Sequence, residues 1–165
     1  CQFIVCGVES GSFRVRKNIM NRPVTNERFL EVFNWSKHFG IRIIANFMLG
    51  VPGETKQDID MTLGFIKELE PDDFSYSVFY PFPGTALLRL CLDKGYLPKN
   101  YLDLPANHRQ SILNLPDLTQ EDIAEYYGRF TETRGKNYLR QYGNLLNFET
   151  QRLAVNGIKE CAVLG

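Results

Sequence analysis

Apolar and polar residues follow two alternating patterns over the first 95 residues of the chain. Three short apolar runs, at residues 3–8, 41–49 and 74–80, have the length of strands and end in residues typical of turns. Between these runs, apolar residues recur at the helical spacing of three and four. Strands that alternate with helices predict a parallel sheet or barrel built from right-handed βα crossovers.

The second apolar run organises the rest of the chain. Nearly all of residues 41–49 are apolar, and the glycines and proline of residues 50–53 close the run, which predicts a strand buried on both faces and then a tight loop. Thr55 is placed to cap the next helix, with Asp58 in the acidic position of a capping box. An unpartnered buried amide costs about 1–3 kcal/mol, so we expect Asn46 to bond either to a neighbouring strand or to a ligand.

The remaining elements follow from caps and periodicity. Helices are predicted at residues 13–20, from a cap at Thr25 or Asn26 to about residue 39, at 56–69 and at 85–94. Residues 111–115 are a candidate short edge strand within an otherwise irregular stretch. A second capping box at Thr119 predicts a long helix to about residue 142, followed by a last helical segment at 145–155.

These elements divide the chain into three parts. Residues 1–95 form an α/β unit, residues 96–118 an irregular connector, and residues 119–165 a helical extension. The chain begins without methionine and enters an apolar strand within two residues. Because a domain seldom begins inside a core strand, we expect a longer parent protein whose N-terminal part is missing here.

Composition and charge exclude several classes of protein. The 165 residues are 44% hydrophobic, which favours a folded domain, and 19 basic residues balance 19 acidic ones. We therefore expect neither nucleic acid nor an acidic membrane as a partner. No apolar run approaches about 18 residues, and the first residues lack a basic region followed by an apolar segment, so we expect a cytoplasmic protein without a signal peptide or a membrane span. The four cysteines lack metal-site spacing and predict reduced core thiols rather than metal ligands: Cys1, Cys6, Cys91 and Cys161.

Candidate chemistry collects at the carboxyl ends of the predicted strands, where ligands bind in parallel barrels. The residues at these ends are Glu9, Ser10, the loop 50–53 and the loop 80–85 with Tyr80 and Phe82, and Asn46 lies below them within the second strand. A carboxylate and an amide can hydrogen-bond a diol, and backbone groups beside aromatic rings suit a purine. This combination predicts a nucleoside ligand.

Other signals are less specific. The loop 50–55 lacks the lysine of a phosphate-binding loop and is explained by a turn and a helix cap. Neither His38 nor His108 has a catalytic partner at motif spacing, which disfavours a histidine-based hydrolase. The basic residues between Arg14 and Arg28 form either a solvated helix face or an anion contact.

Three segments, in order, resemble the radical S-adenosylmethionine (SAM) enzymes. Residues 7–12, Gly-Val-Glu-Ser-Gly-Ser, with Val15, Lys17, Ile19 and Arg22 after them, resemble the fourth strand and following helix of that superfamily. Residues 46–55 are similar to its fifth strand and loop, and residues 79–85 to its sixth-strand exit. The tail from Thr119 is similar to the helical extension of members that carry a cobalamin-binding domain upstream.

This resemblance implies a fold and a set of contacts. The fold is the second half of a partial (β/α)6 TIM-like barrel, comprising strands four to six with their helices, plus a C-terminal helical extension. The implied SAM contacts are Glu9 and Ser10 for the ribose or amino acid part, Asn46 for the ribose, Tyr80, Pro81 and Phe82 for adenine, and Arg14 or Lys17 for the carboxylate.

The resemblance also implies a reaction. In this superfamily a 4Fe-4S cluster cleaves SAM reductively, and the resulting 5'-deoxyadenosyl radical acts on a substrate, here a small molecule undergoing methyl transfer or rearrangement at carbon. Cobalamin is a further cofactor that the resemblance allows for the full-length protein. The family's CxxxCxxC loop and glycine-rich second-strand motif are absent from this sequence. We therefore expect the cluster ligands in a missing N-terminal half, and a chain that is inactive and prone to association alone.

Two alternatives from other classes stay open. The first is an unrelated (β/α) barrel enzyme that uses Glu9 as acid or base, which would require a second carboxylate or a lysine at another strand end. The second is a noncatalytic α/β interaction module that uses the basic helix and the aromatic tail.

Overall fold

The computed structural model describes residues 1–143, which form a parallel sheet flanked by helices. The strands are β1 (Phe3–Glu9), β2 (Arg42–Leu49) and β3 (Asp73–Val78). The α-helices are α1 (Asn26–His38), α2 (Lys56–Leu69), α3 (Ala86–Asp93) and α4 (Gln120–Tyr142). A π-helical turn spans Val15–Ile19 and a 3-10 turn spans Tyr101–Asp103.

The three strands pair in parallel in the order β1-β2-β3, which confirms the predicted parallel α/β sheet. Gly7 pairs with Asn46 of the central strand, and Asn46 pairs in turn with Ser75. The crossovers between strands run through α1 and α2, which contact each other. Three strands make an open sheet, and this arrangement is compatible with part of a larger α/β barrel.

The prediction that β2 is buried on both faces is wrong. Its alternate residues Ile43, Ala45, Phe47 and Leu49 are buried among side chains of α1, α2 and α4. The intervening side chains Ile44, Asn46 and Met48 are only half-buried, because among residues 1–143 the core lies on one side of the sheet. We call the uncovered side the open face; it carries Val5, Gly7, Ile44, Asn46 and Ser75.

The capping boxes predicted from the sequence are confirmed at the starts of two helices. Helix α2 begins with the predicted capping box, in which Asp58 N donates to Thr55 Oγ1 at 3.3 Å and Thr55 N donates to Asp58 Oδ2 at 2.9 Å. Helix α4 begins in the same way at Thr119, with Asp122 as its reciprocal partner. These caps satisfy amides that the first helical turn leaves free.

The stretch before α4 is irregular, as expected, but the candidate strand at 111–115 does not form. Leu113 and Leu115 are buried in the core, which accounts for the apolar pattern. Their backbone is not paired as a strand: Asn114 N donates to Tyr96 O at 2.8 Å, and Leu113 N donates to Ser111 Oγ at 3.1 Å. The side chains of these apolar residues are buried in the core, although their backbone forms a loop.

Helix α4 packs on β3. Tyr126 and Phe130 are buried, and the Phe130 ring lies 5.3 Å from the ring of Tyr76. Tyr76 also exchanges a 2.6 Å hydrogen bond with Thr131.

The helical segment predicted at 145–155, and Cys161, lie outside the described residues. No helix within residues 1–143 is long and apolar enough to cross a membrane.

Candidate functional site

Glu9 and Arg22 form an ion pair at the end of β1, on the open face. A bulge between Gly7 and Glu9 interrupts the strand, and Glu9 has a φ of 68°, a left-handed conformation that is uncommon outside glycine. Arg22 Nη1 donates to Glu9 Oε1 at 2.7 Å, and Arg22 Nη2 donates to Gly7 O at 3.2 Å. The Arg22 side chain is 47% exposed and that of Glu9 is 21% exposed, so a ligand can reach both charges.

Gly7 leaves room for this pair in its present position. A Cβ at position 7 would lie 2.7 Å from Glu9 Oε1 and 3.4 Å from Arg22 Nη1. The absence of a side chain therefore lets the carboxylate fold back over β1, and backbone bulges of this kind often reorient a side chain near an active site.

Asn46 and Ser75 form a second polar pair beside the first. Ser75 Oγ donates to Asn46 Oδ1 at 2.7 Å, so the expected partner of Asn46 is supplied by the neighbouring strand. This bond engages the amide oxygen, and Asn46 presents its amide nitrogen as the donor. Since Gly7 pairs with Asn46 and Asn46 with Ser75, the two polar pairs lie side by side across the three strands.

An aromatic cluster follows β3. The rings of Tyr80 and Phe82 lie 5.2 Å apart with their planes at 62°, and His108 lies 6.0 Å from Phe82. Phe82 is 49% exposed, whereas Pro81 is buried. Phe79 N donates to Leu49 O at 2.8 Å, which holds this exit against the end of β2. The cluster offers a flat apolar ring and backbone groups at the carboxyl end of the sheet.

The loop after β2 is fixed by a buried acid that sequence reasoning passed over. Glu54 is 1% exposed, and its Oε2 accepts from Gly50 N at 2.7 Å and from Val51 N at 3.3 Å. Within residues 1–143, no group hydrogen-bonds its other oxygen, Oε1. Burial raises the pKa of Glu54 to about 8, although the two amide hydrogen bonds act to lower it. Burial thus favours the neutral form of Glu54, which holds the loop through the two hydrogen bonds that it accepts.

Two of the predicted contact residues lie away from the open face. Ser10 is fully buried, and its hydroxyl lies 3.1 Å from Thr62 Oγ1 on α2. Arg14 forms a salt bridge with Asp58 and donates to Gly53 O at 2.8 Å, so its guanidinium is engaged at the start of α2. The structure brings Glu9 and Asn46 together and does not bring Ser10 and Arg14 to them.

Arg22 is the basic residue that sequence reasoning missed. In the sequence, Arg22 was named only as part of a motif and had no assigned contact, but the turn before it is π-helical: Met20 N donates to Val15 O at 3.1 Å, a five-residue spacing. The motif that begins at Gly7 contained Arg22, so the signal was present in the sequence. The motif did not show that the chain turns back after this helix, and the π-helical turn is what brings Arg22 to Glu9.

Comparisons with known proteins give one family match and several relatives. Residues 1–66 match the family model of the Radical SAM superfamily. An uncharacterized methyltransferase of Pyrococcus horikoshii is 28% identical over 130 residues, covering 76% of this chain and 27% of that protein. Cytidylyl-2-hydroxyethylphosphonate methyltransferase of Streptomyces wedmorensis is 25% identical over 134 residues, covering 77% and 25%. A tRNA-2-methylthio-N(6)-dimethylallyladenosine synthase of Clostridium botulinum is 35% identical over 83 residues, covering 47% and 18%.

The parallel α/β sheet, with polar residues on its open face, is compatible with this family match. The family match over residues 1–66 and the similarity to these methyltransferases support a member of the radical SAM superfamily. The chain spans about a quarter or less of the length of these curated relatives, at 27%, 25% and 18%.

Proposed function

We propose that this chain is the SAM-binding half of a radical SAM enzyme, the second half of its partial (β/α)6 barrel. One observation carries the proposal: the Glu9–Arg22 pair and the Asn46–Ser75 pair lie side by side on the open face of a parallel sheet. Ligands of parallel α/β folds bind at the carboxyl ends of the strands, where Glu9 and the Tyr80–Phe82 cluster stand.

The chemistry of these side chains matches the parts of SAM. The Glu9 carboxylate accepts from an ammonium or a ribose hydroxyl, and the exposed Arg22 guanidinium binds a carboxylate through paired N–H donors. Asn46 Nδ2 donates to a ribose hydroxyl. The Phe82 ring covers one face of adenine while the backbone near Pro81 meets its edge.

The proposed contacts differ in one respect from those that the resemblance alone implied. Arg22 replaces Arg14 and Lys17 as the candidate for the SAM carboxylate, because Arg14 is already bonded to Asp58 and Gly53 and Lys17 Nζ lies over the Phe13 ring, 5.6 Å from its centroid. Ser10 is buried, and its hydroxyl contacts Thr62 and accepts from Ser12 N, so it stabilises the turn rather than contacting the ligand. The proposed contact residues are therefore Glu9, Arg22, Asn46, Tyr80, Pro81 and Phe82.

A 4Fe-4S cluster does not fit the residues described here. Among residues 1–143, no three His, Cys, Asp or Glu side chains come together in a way that could hold a metal ion. We propose that the cluster ligands belong to an N-terminal half of the barrel, which adjoins β1. When bound there with SAM, the cluster supplies reductive cleavage of SAM and radical chemistry.

Methyl transfer is the reaction we propose for the whole enzyme. Two of the relatives are named as methyltransferases, and the name of one of these specifies a cytidylyl phosphonate as what it methylates. The second of these names is consistent with the small-molecule substrate that we propose, and we propose the cytoplasm as the place of the reaction. Cobalamin enters the proposal only as an additional cofactor of the full-length protein, on the likeness of the tail from Thr119.

The geometry does not favour an acid–base enzyme built on Glu9. Such an enzyme would need a second carboxylate or a lysine within reach, and the partner of Glu9 is Arg22. A guanidinium stays protonated in proteins and serves as a binding group rather than a base.

The test is titration of the 165-residue chain with SAM, followed by two-dimensional amide NMR. We expect shifts at residues 7–9, 46 and 80–82, and an affinity that falls about tenfold or more for Arg22→Met, because a lost charge-assisted hydrogen bond costs about 1.5–3 kcal/mol. Glu31→Ala, on the exposed face of α1, is the control and should not change the affinity. No shift at millimolar SAM, or shifts confined to the helical side, would overturn the proposal.

A further inference from the structure

Arg16 is a buried cation whose guanidinium hydrogen-bonds no carboxylate among residues 1–143, although the charge of Glu27 acts to raise its pKa. It is 1% exposed, and within residues 1–143 it takes part in no salt bridge. Burying a guanidinium is costly unless its donors are satisfied, so this position indicates a specific role. The Phe13 and Phe29 rings flank it, with centroids 5.9 Å and 5.2 Å from its central carbon.

The guanidinium of Arg16 donates only to uncharged oxygens. Its Nη1 donates to Ser10 O and its Nη2 to Asn26 Oδ1, while its Nε donates to Val24 O at 3.0 Å. Asn26 Nδ2 in turn donates to Gly11 O at 3.2 Å. One side chain therefore holds the turn that follows β1 and the segment that leads into α1.

These bonds close a ring around the ion pair of the open face. Ser10 directly follows Glu9, so the Arg16 side chain holds one end of the pair. The Arg16 carbonyl accepts from Arg22 N at 2.8 Å, and Arg22 O accepts from Val24 N at 2.9 Å. Since Val24 O accepts from Arg16 Nε, Arg16 also holds the backbone of Arg22, the other member of the pair. Arg22 Nη1 then completes the ring by donating to Glu9 Oε1.

The turn that carries Arg16 is itself unusual. Val15–Ile19 is π-helical, a geometry that is rare and is frequent at functional sites. Together with the left-handed Glu9, it makes two uncommon backbone conformations, one at each end of the Glu9–Arg22 pair. Strained backbone persists where surrounding contacts impose it, and Arg16 provides such contacts at both ends.

We propose that Arg16 is a positioning residue of the open-face site, whose buried guanidinium fixes Glu9 and Arg22 relative to each other before a ligand binds. The proposal rests on the proposed function for the identity of that ligand, SAM. The three acceptors lie around a planar fork of donors, so lysine cannot replace arginine here: an ammonium reaches a single oxygen well and leaves the other two unpaired.

The experiment compares Arg16→Met and Arg16→Lys with the wild-type chain by two readouts. The first needs no ligand: it is the Nε–Hε NMR signal of Arg22, which should move towards that of a solvated arginine in both variants. The second is SAM affinity, which we expect to fall about tenfold or more, since errors of about 1 Å in a site can cost a hundredfold. Arg28→Met is the matched control, because Arg28 is an exposed arginine paired with Glu31.

The outcomes separate this inference from the proposed function. If the Arg22 signal moves but the wild-type chain does not bind SAM, Arg16 is a positioning residue and the proposed function fails. If the chain binds SAM and both readouts are unchanged in Arg16→Met, the inference is wrong even where that variant is less stable. Should Arg16→Met not fold, Asn26→Ala, which removes one acceptor of Arg16, is measured in its place with the same expectations of sign.

Discussion

Ser12 Oγ donates a 2.6 Å hydrogen bond to Asp58 Oδ1, and this bond joins the turn after β1 to the first turn of α2. The same carboxylate accepts from Thr55 N at 2.9 Å and Thr55 Oγ1 at 2.6 Å, and it forms a salt bridge with Arg14. Asp58 is 5% exposed, so these bonds replace its water. It therefore connects the strand that carries Glu9 with the loop that follows β2.

Replacing Asp58 by Asn should destabilise the chain by about 2–4 kcal/mol, because an amide keeps one acceptor oxygen and turns a donor towards Thr55 or Ser12. The measurement is urea unfolding at neutral pH. Glu31→Gln is the matched control, since Glu31 forms an exposed ion pair with Arg28 and its loss should cost at most about 0.5 kcal/mol. Equal destabilisation of the two variants would show that the hydrogen bonds of Asp58 contribute no more to stability than an exposed ion pair does.

A pH dependence is expected from Glu54. Burial raises its pKa from 4.5 to about 8 in the folded chain, and the charge of Asp58 acts in the same direction while Arg14 opposes it. Between these two values the folded chain binds a proton that the unfolded chain has released, so the contribution of Glu54 to stability is greatest at low pH and falls as the pH rises.

Glu54→Gln isolates this contribution, because a glutamine keeps an acceptor for Gly50 N and Val51 N but cannot titrate. We expect the free energy of unfolding of the wild type to fall relative to that of Glu54→Gln between about pH 5 and pH 8. Both proteins contain the same histidines, so their difference reports Glu54 alone. Parallel pH profiles would mean that Glu54 is not neutral in the folded chain.

Most of the fold could be predicted from local signals. The capping box at Thr55 and Asp58 fixed the start of α2, and alternating strand and helix patterns fixed a parallel sheet, because these features depend on neighbours in sequence. The open face could not be predicted in this way. Whether Asn46 is covered depends on which layers pack against the sheet, and a strand's own sequence does not encode them.

The candidate site was predicted in part. Glu9 and Ser10 were assigned together because they are adjacent, yet adjacent residues at a strand end point to opposite sides, and Ser10 faces α2. That alternation was available from the sequence. The contact of Arg22 with Glu9 could not be predicted from the sequence, because it depends on a π-helical turn whose extra residue leaves no local signature.

Gly11 and Gly64 provide a matched pair of alanine substitutions. A Cβ on Gly11 would lie 2.6 Å from Thr62 Cα and 2.7 Å from Met61 O, which are backbone atoms of α2 and cannot rotate away. We expect Gly11→Ala to cost about 1–3 kcal/mol or more through overpacking. Gly64 lies within α2, where a Cβ would meet no other part of residues 1–143 within 4 Å, so Gly64→Ala should stabilise by about 0.5–1 kcal/mol.

Chemical denaturation of both alanine variants is the measurement, and the opposite signs are the prediction. A destabilising Gly64→Ala would contradict the exposed position of that residue on α2. A neutral Gly11→Ala would contradict the close approach of the turn after β1 to α2, and with it the placement of Ser10 against Thr62.

Helix α4 should unfold together with the sheet rather than as a separate unit. Phe130 is fully buried against Tyr76 of β3, so Phe130→Ala should cost about 3–5 kcal/mol, whereas Tyr138→Ala, at a residue 43% exposed, should cost under about 1 kcal/mol. Trp35, the single tryptophan, lies on α1, so its fluorescence reports a different part of the fold from α4. In Phe130→Ala, the unfolding midpoints from Trp35 fluorescence and from far-ultraviolet circular dichroism should shift by the same amount. If helical signal is lost first while the Trp35 midpoint stays at its wild-type value, α4 is an independent segment and its packing on β3 contributes little to the stability of the open-face site.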